Sequence, residues 1–175
     1  MPKLCAQSLL CLAVPVMTAG AAHAGGIELT VEIPKLSVAE YHRPYVAIWI
    51  EDASGKVAAN LSVWYDVDLK DSEGEKWLKD IRQWWRRTGR TLNMPMDGVS
   101  SPTKAPGVNK VTFPSDKGAL AKLAPGEYKL VVEATREVGG KEMVEIPFKW
   151  APGTEATASA KGKEELGAIT LKLTK

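Results

Sequence analysis

Pro44-Tyr45-Val46-Ala47-Ile48-Trp49-Ile50-Glu51-Asp52, then Ala53-Ser54-Gly55-Lys56, then Val57-Ala58-Ala59-Asn60-Leu61-Ser62-Val63-Trp64-Tyr65 is the stretch on which the fold turns. The first segment is almost continuously apolar, the pattern of a central strand covered on both faces. Asp52 to Lys56 gathers turn formers, and beyond it Leu61, Val63 and Tyr65 alternate with Ser62 and Trp64. Two strands joined by so short a turn form an antiparallel hairpin.

Working outward, Ile27-Glu28-Leu29-Thr30-Val31-Glu32-Ile33 alternates with the period of a strand that has one buried face, and Pro34 ends it. Beyond the hairpin, strands are expected at Lys110–Pro114, Tyr128–Glu137, Met143–Trp150 and Leu166–Leu173, with turns at Ser115–Gly118, Pro125-Gly126 and Gly139-Gly140. Ala151 to Glu165, rich in Ala, Gly, Thr and Lys, reads as a flexible excursion. One helix is expected over about 73–88. Ser72 and Glu75 have capping-box spacing, Trp77, Leu78, Ile81, Trp84 and Trp85 fall at helical intervals, and Gly89 is the stop. These signals specify a mainly β chain, an immunoglobulin-like antiparallel β-sandwich of about seven strands with one inserted amphipathic α-helix, forming a single domain over residues 25–175.

At the N-terminus, Lys3, an apolar run from Leu9 to Ala22 and Ala22-His23-Ala24 have the layout of a secretory signal peptide over residues 1–24. Cleavage after Ala24 would remove both cysteines, Cys5 and Cys11, and leave His42 as the only histidine. Disulfides, thiolate metal sites and histidine-rich metal centres are then excluded. Taking Lys3 out of the 23 basic residues leaves a formal charge of +1 against 21 acidic ones. That balance does not favour nucleic acid. No other apolar run is long enough to cross a membrane, so the expected location is a bacterial periplasm.

The segment Asp97-Gly98-Val99-Ser100-Ser101-Pro102-Thr103-Lys104-Ala105-Pro106-Gly107 has no apolar period and is rich in Gly, Pro, Ser and Thr. A loop of this kind on a rigid scaffold is a candidate site. A second candidate is the helix surface at Trp84, Trp85 and Arg86, a binding face for a partner if it is exposed and a cap over the sandwich if it is buried. Asp66-x-Asp68-x-x-Asp71-x-Glu73 has the charge of a calcium loop, but Lys70 stands at a ligand position and the bend lacks glycine. Ser100 with His42 and an aspartate would suit a hydrolase, although no nucleophile-elbow pattern surrounds the serine. Glu133, Arg136 and Glu137 read as a cross-strand charge set on an exposed face.

Arg43 to Asp52, Trp77-Leu78 with Trp84, Asp97 to Gly107, Pro125-Gly126-Glu127-Tyr128 and Glu133 to Glu137 together resemble a family of predicted periplasmic bacterial proteins. The resemblance covers most of the chain after residue 24. It implies a sandwich like those of flagellar hook-assembly proteins and a setting beside flavin-transferase and PepSY-type membrane redox proteins. The loop has a shorter resemblance, to proteins that receive covalent FMN at Asp-Gly-x-Ser-Gly-Ala-Thr. Asp97, Gly98, Ser100 and Thr103 match in register, while Ser101 and Pro102 stand where that pattern has glycine and alanine. It implies FMN joined through its phosphate to Thr103, with Ser100, Asp97 and Gly98 around it.

The expected function is thus a non-enzymatic periplasmic binding or accessory module of a flavin-linked redox system. Its partner would be a periplasmic or membrane redox protein or a flavin transferase. The alternative is an envelope scaffold that binds another protein by a strand edge.

Overall fold

The computed structural model describes residues 25–151 and 153–175; the expected signal peptide, residues 1–24, lies outside them. Nine strands occur among the described residues: β1 (Gly26–Ile33), β2 (Tyr45–Asp52), β3 (Val57–Tyr65), β4 (Ser100–Pro102), β5 (Gly107–Pro114), β6 (Gly126–Thr135), β7 (Lys141–Trp150), β8 (Ala156–Lys161) and β9 (Ala168–Thr174). They form two sheets, one in the order β5-β1-β9-β8 and the other β4-β3-β2-β6-β7. The expected mainly β sandwich is what the chain builds. All pairings are antiparallel except β3 with β4, which is parallel.

Between the sheets lies a core of Ile27, Leu29, Val31, Ile48, Ile50, Trp64, Leu130, Val132, Ile146, Ile169, Leu171 and their neighbours. A second core, on the outer face of the five-stranded sheet, joins Ala47, Trp49, Val63, Tyr65 and Val131 to Leu78, Ile81 and Trp84 of the segment that follows β3. Central β2 supplies side chains to both, which is why its sequence is apolar at successive positions.

The strand β3 departs from simple alternation. Pairing passes from Ile48↔Ser62 to Trp49↔Asn60, so Leu61 is an extra, bulged residue. The bulge changes the face of everything after it. Leu61 and Trp64 enter the core between the sheets, while Val63 and Tyr65 enter the outer one.

The single helix expected over about 73–88 is divided. A 3-10 segment, Lys70–Asp80, is followed by a six-residue α-helix, α1 (Arg82–Arg87), and a 3-10 turn at Gly89–Thr91. Ser72 does not cap it. Asp71 and Ser72 both have φ of 55°, and neither end of the segment has a side-chain cap. Gly74 packs against the Asp66 carbonyl so closely that a Cβ would lie 2.1 Å from the oxygen, which anchors this stretch in a tight, non-α course. The cap that α1 does have is tertiary. The buried Glu133 carboxylate on β6 accepts the backbone N–H groups of Gln83 and Trp84, at 3.0 and 2.9 Å.

Residues 151–165 are not simply a flexible excursion, because β8 runs through them and pairs with β9 from Ala156↔Leu173 to Lys161↔Ala168. Four N–H groups of the return loop converge on one side chain. Glu142 accepts the backbone N–H groups of Lys163, Glu164, Glu165 and Leu166. Desolvation raises its pKa, but the four hydrogen bonds outweigh it and hold the carboxyl below its ordinary value of 4.5. A carboxyl depressed in the folded state stabilises it above the unfolded value and loses that contribution as pH falls through the folded one. Glu142→Gln is therefore expected to cost about 1–3 kcal/mol at neutral pH. It should also flatten the loss of stability on acidification below pH 4.5. Urea titrations at a series of pH values would check both effects.

Candidate functional site

The ends of all five strands of the five-stranded sheet converge on one cleft. Tyr45 opens β2, Asp66 follows β3, Thr103 follows β4, Thr135 ends β6 with Arg136 just beyond it, and Lys141 opens β7. Tyr41, His42 and Arg43 approach from the segment before β2, and Leu69, Trp77 and Asp80 from the insert after β3. The cleft encloses about 710 Å³, within the range of small-molecule sites.

Asp66 organises one wall. Its carboxylate accepts the Tyr45 hydroxyl at 3.3 Å and the Thr103 hydroxyl at 3.2 Å. Burial, with the nearby Asp66 charge, pushes the Tyr45 phenol up to about 12, so it remains a donor to that carboxylate at neutral pH. The opposite wall is built on the β6–β7 hairpin. Its turn closes at Gly139-Gly140 as the sequence indicates, with Gly139 N–H bonded to the Arg136 carbonyl at 3.0 Å. A Cβ at Gly139 would lie 2.4 Å from Arg136 Cζ, so only glycine lets the guanidinium lie under the turn.

Arg136 and Glu133 are the main correction to the sequence reading. Neither belongs to an exposed charge set: Arg136 is 8% and Glu133 5% exposed. Arg136 Nε and Nη2 each donate to Glu165 at 3.0 Å, and Glu165, itself 3% exposed, also accepts the Gly140 N–H at 2.8 Å. This two-pronged pair joins the hairpin of one sheet to the β8–β9 loop of the other.

The rim is apolar. Leu69, Trp77 and Val138 are 45%, 50% and 79% exposed, and all three line this cleft. Trp77 thus faces outward rather than into the core, with Lys79 Nζ 5.7 Å from its ring.

The loop residues singled out in the sequence are not gathered in one place. Asp97 and Gly98 make an exposed turn before β4, with Gly98 at φ of 72°. Ser100 sits on β4, and its hydroxyl accepts the Met96 N–H at 2.9 Å. Of the four, only Thr103 lines the cleft. His42 lies between Glu40 and Glu137, at 2.9 and 3.6 Å, and no hydrogen bond joins it to Ser100 among the described residues. The expected partner face is divided as well. Trp84 is fully buried with its indole N–H on Asn60 Oδ1 at 2.9 Å, Trp85 is half-buried, and Arg86 is exposed. In the acidic stretch after β3, Asp66 is engaged as described; no group of three His, Cys, Asp or Glu suited to a metal occurs among the described residues.

Sequence reading missed Tyr41, Asp66, Trp77 and Arg136 as neighbours. The available signal was topological: each stands at the same end of a strand or on a connection passing that end.

The chain belongs to the family described as "Predicted periplasmic protein (DUF2271)", whose model matches residues 26–168. Neither the curated proteins nor the solved structures give a match. The family description gives a compartment, and among the described residues no helix is long and apolar enough to cross a membrane.

Proposed function

We propose that this chain is an exported, periplasmic binding module that carries FMN on Thr103 over its cleft and presents it to a redox partner of the envelope. The observation that supports this most is the position of Thr103. Its hydroxyl stands in the mouth of a cleft with an apolar, partly aromatic rim and donates to the Asp66 carboxylate. The orientation suits a nucleophile. In attachment, the Thr103 oxygen would bond to the flavin-side phosphorus of flavin adenine dinucleotide, the P–O bond to the adenylate phosphate would break, AMP would leave and Asp66 would take the hydroxyl proton. Bound flavin would supply electron transfer. The chain's part is to hold and shield it, with Trp77, Leu69 and Val138 as apolar walls and Tyr45 fixing Asp66. Thr103 lies just past the β3–β4 ladder, which ends at Tyr65↔Pro102, so its backbone is not committed to a strand pair.

Co-expression in a periplasm with a flavin transferase should add the mass of an FMN phosphoester, with in-gel flavin fluorescence. Both signals should vanish in Thr103→Ala, whose folding stability should stay within about 1 kcal/mol of the parent. An unmodified mass beside a competent transferase would refute the attachment.

A further inference from the structure

Two of the residues that line the cleft carry buried hydrogen-bond donors without acceptors. Glu165 takes Nε and Nη2 of Arg136, but Arg136 Nη1 has no partner among the described residues, and neither has the Tyr41 hydroxyl. Both residues line the same cleft. Burying a donor without an acceptor is unfavourable, and more so on a charged group. Two of them on residues of one cleft, both closed off from solvent, point to an acceptor that reaches them when the lining side chains shift.

The apolar rim points the same way. Among the described residues, three of the six large hydrophobic side chains that are exposed, Leu69, Trp77 and Val138, are collected at this one site. Val138 is also strained: its φ is 51°, a conformation that β-branched residues rarely adopt. Backbone strain that keeps a valine side chain in solvent over a cleft is the kind found at ligand sites.

We propose that Tyr41 and Arg136 bind the carboxylate of a small monoanion whose aromatic or aliphatic body lies against Trp77, Leu69 and Val138. One guanidinium N–H and one phenol O–H match the two oxygens of a carboxylate. A dianionic phosphate fits less well. The Arg136 charge is already balanced by Glu165, and Asp66, Asp80 and Glu137 line the cleft opposite Arg43 and Lys141. Burial raises the Tyr41 pKa, with Arg136 opposing it, so the phenol is a protonated donor at neutral pH. The subsite does not depend on Thr103, so the flavin-free protein would bind the soluble ligand; an attached flavin would compete with it for the same apolar walls.

The test is a titration of the purified exported protein with benzoate, benzamide and phenyl phosphate, read by calorimetry and by tryptophan fluorescence. Benzoate is expected to bind saturably, with benzamide at least about tenfold weaker, the loss that one charge-assisted hydrogen bond produces. Phenyl phosphate should bind no more tightly than benzoate. Tyr41→Phe, which removes only the hydroxyl, should weaken benzoate about tenfold, and Trp77→Ala should weaken all three ligands together. Benzamide binding as well as benzoate, a preference for phenyl phosphate, or unchanged affinity in Tyr41→Phe would each overturn the proposal. The titration uses protein exported without a flavin transferase, so its result and that of the flavin-attachment mass measurement are decided independently.

Discussion

Glu165→Ala is expected to lower the unfolding free energy by about 3–5 kcal/mol, the cost of leaving a buried charge without its partner. Glu165 is 3% exposed and takes two guanidinium N–H groups of Arg136 and the Gly140 N–H. Alanine would strand all three donors, and the positive charge of Arg136 is itself only 6% exposed at the side chain. The size of the effect comes from the unpaired charge more than from the pair's own attraction. Arg136→Met combined with Glu165→Leu should therefore recover much of the loss, because well-packed apolar replacements of a buried ion pair are often close to neutral. Urea denaturation of both single mutants and the double mutant would measure the coupling. A loss under about 1 kcal/mol for Glu165→Ala would show that water already reaches Arg136.

Trp84→Ala is expected to cost a similar amount, about 3–5 kcal/mol, as removal of a large core aromatic does. Trp84 is 0% exposed, its indole N–H is satisfied by Asn60 and its backbone N–H by Glu133. Gly89 lies flat on the ring, where a Cβ would come within 2.5 Å of Cζ3. Truncation would leave a cavity in the outer core and an unpaired Asn60 oxygen. Trp77→Ala is the control. Half exposed, with Lys79 over its ring, Trp77 should contribute less than about 1 kcal/mol. If the two tryptophans destabilised equally, the assignment of one to the core and the other to the cleft would fail.

These two residues also show where the sequence is readable and where it is not. Long alternating or continuous apolar runs mark β1, β2, β6, β7 and β9, because burial of one or both faces leaves that pattern in the residues themselves. The strand β8 leaves little, since Ala156 to Lys161 are small or polar and become a strand only by pairing with β9. The three-residue β4, which contains Pro102, depends in the same way on β3. Helical spacing places Trp77 and Trp84 together on one face. The break at Ile81, between the 3-10 segment and α1, sends them to opposite environments. Thr103 is visible from a motif, whereas its acceptor Asp66 stands 37 positions away and is brought near by the order of strands. Arg136 looks like a surface charge beside Glu133 and Glu137; the residue that allows its burial, Glu165, lies 29 positions further on.

The parallel pairing of β4 with β3 has a consequence for the company this protein keeps. A sheet lengthens sideways only where a neighbouring chain finds both N–H and C=O groups at its rim. The inward side of this ladder is occupied, with Val63 N–H on the Val99 carbonyl at 2.8 Å. On the outward side the Ser100 N–H is already bonded to the Met96 carbonyl at 2.8 Å, and by alternation the next outward position is Pro102, which has no N–H. This rim is a poor template for a second molecule or for a newly exported, still unfolded chain. The proline that departs from the flavin-attachment pattern is, at the same position, a guard against aggregation along this border of the sheet.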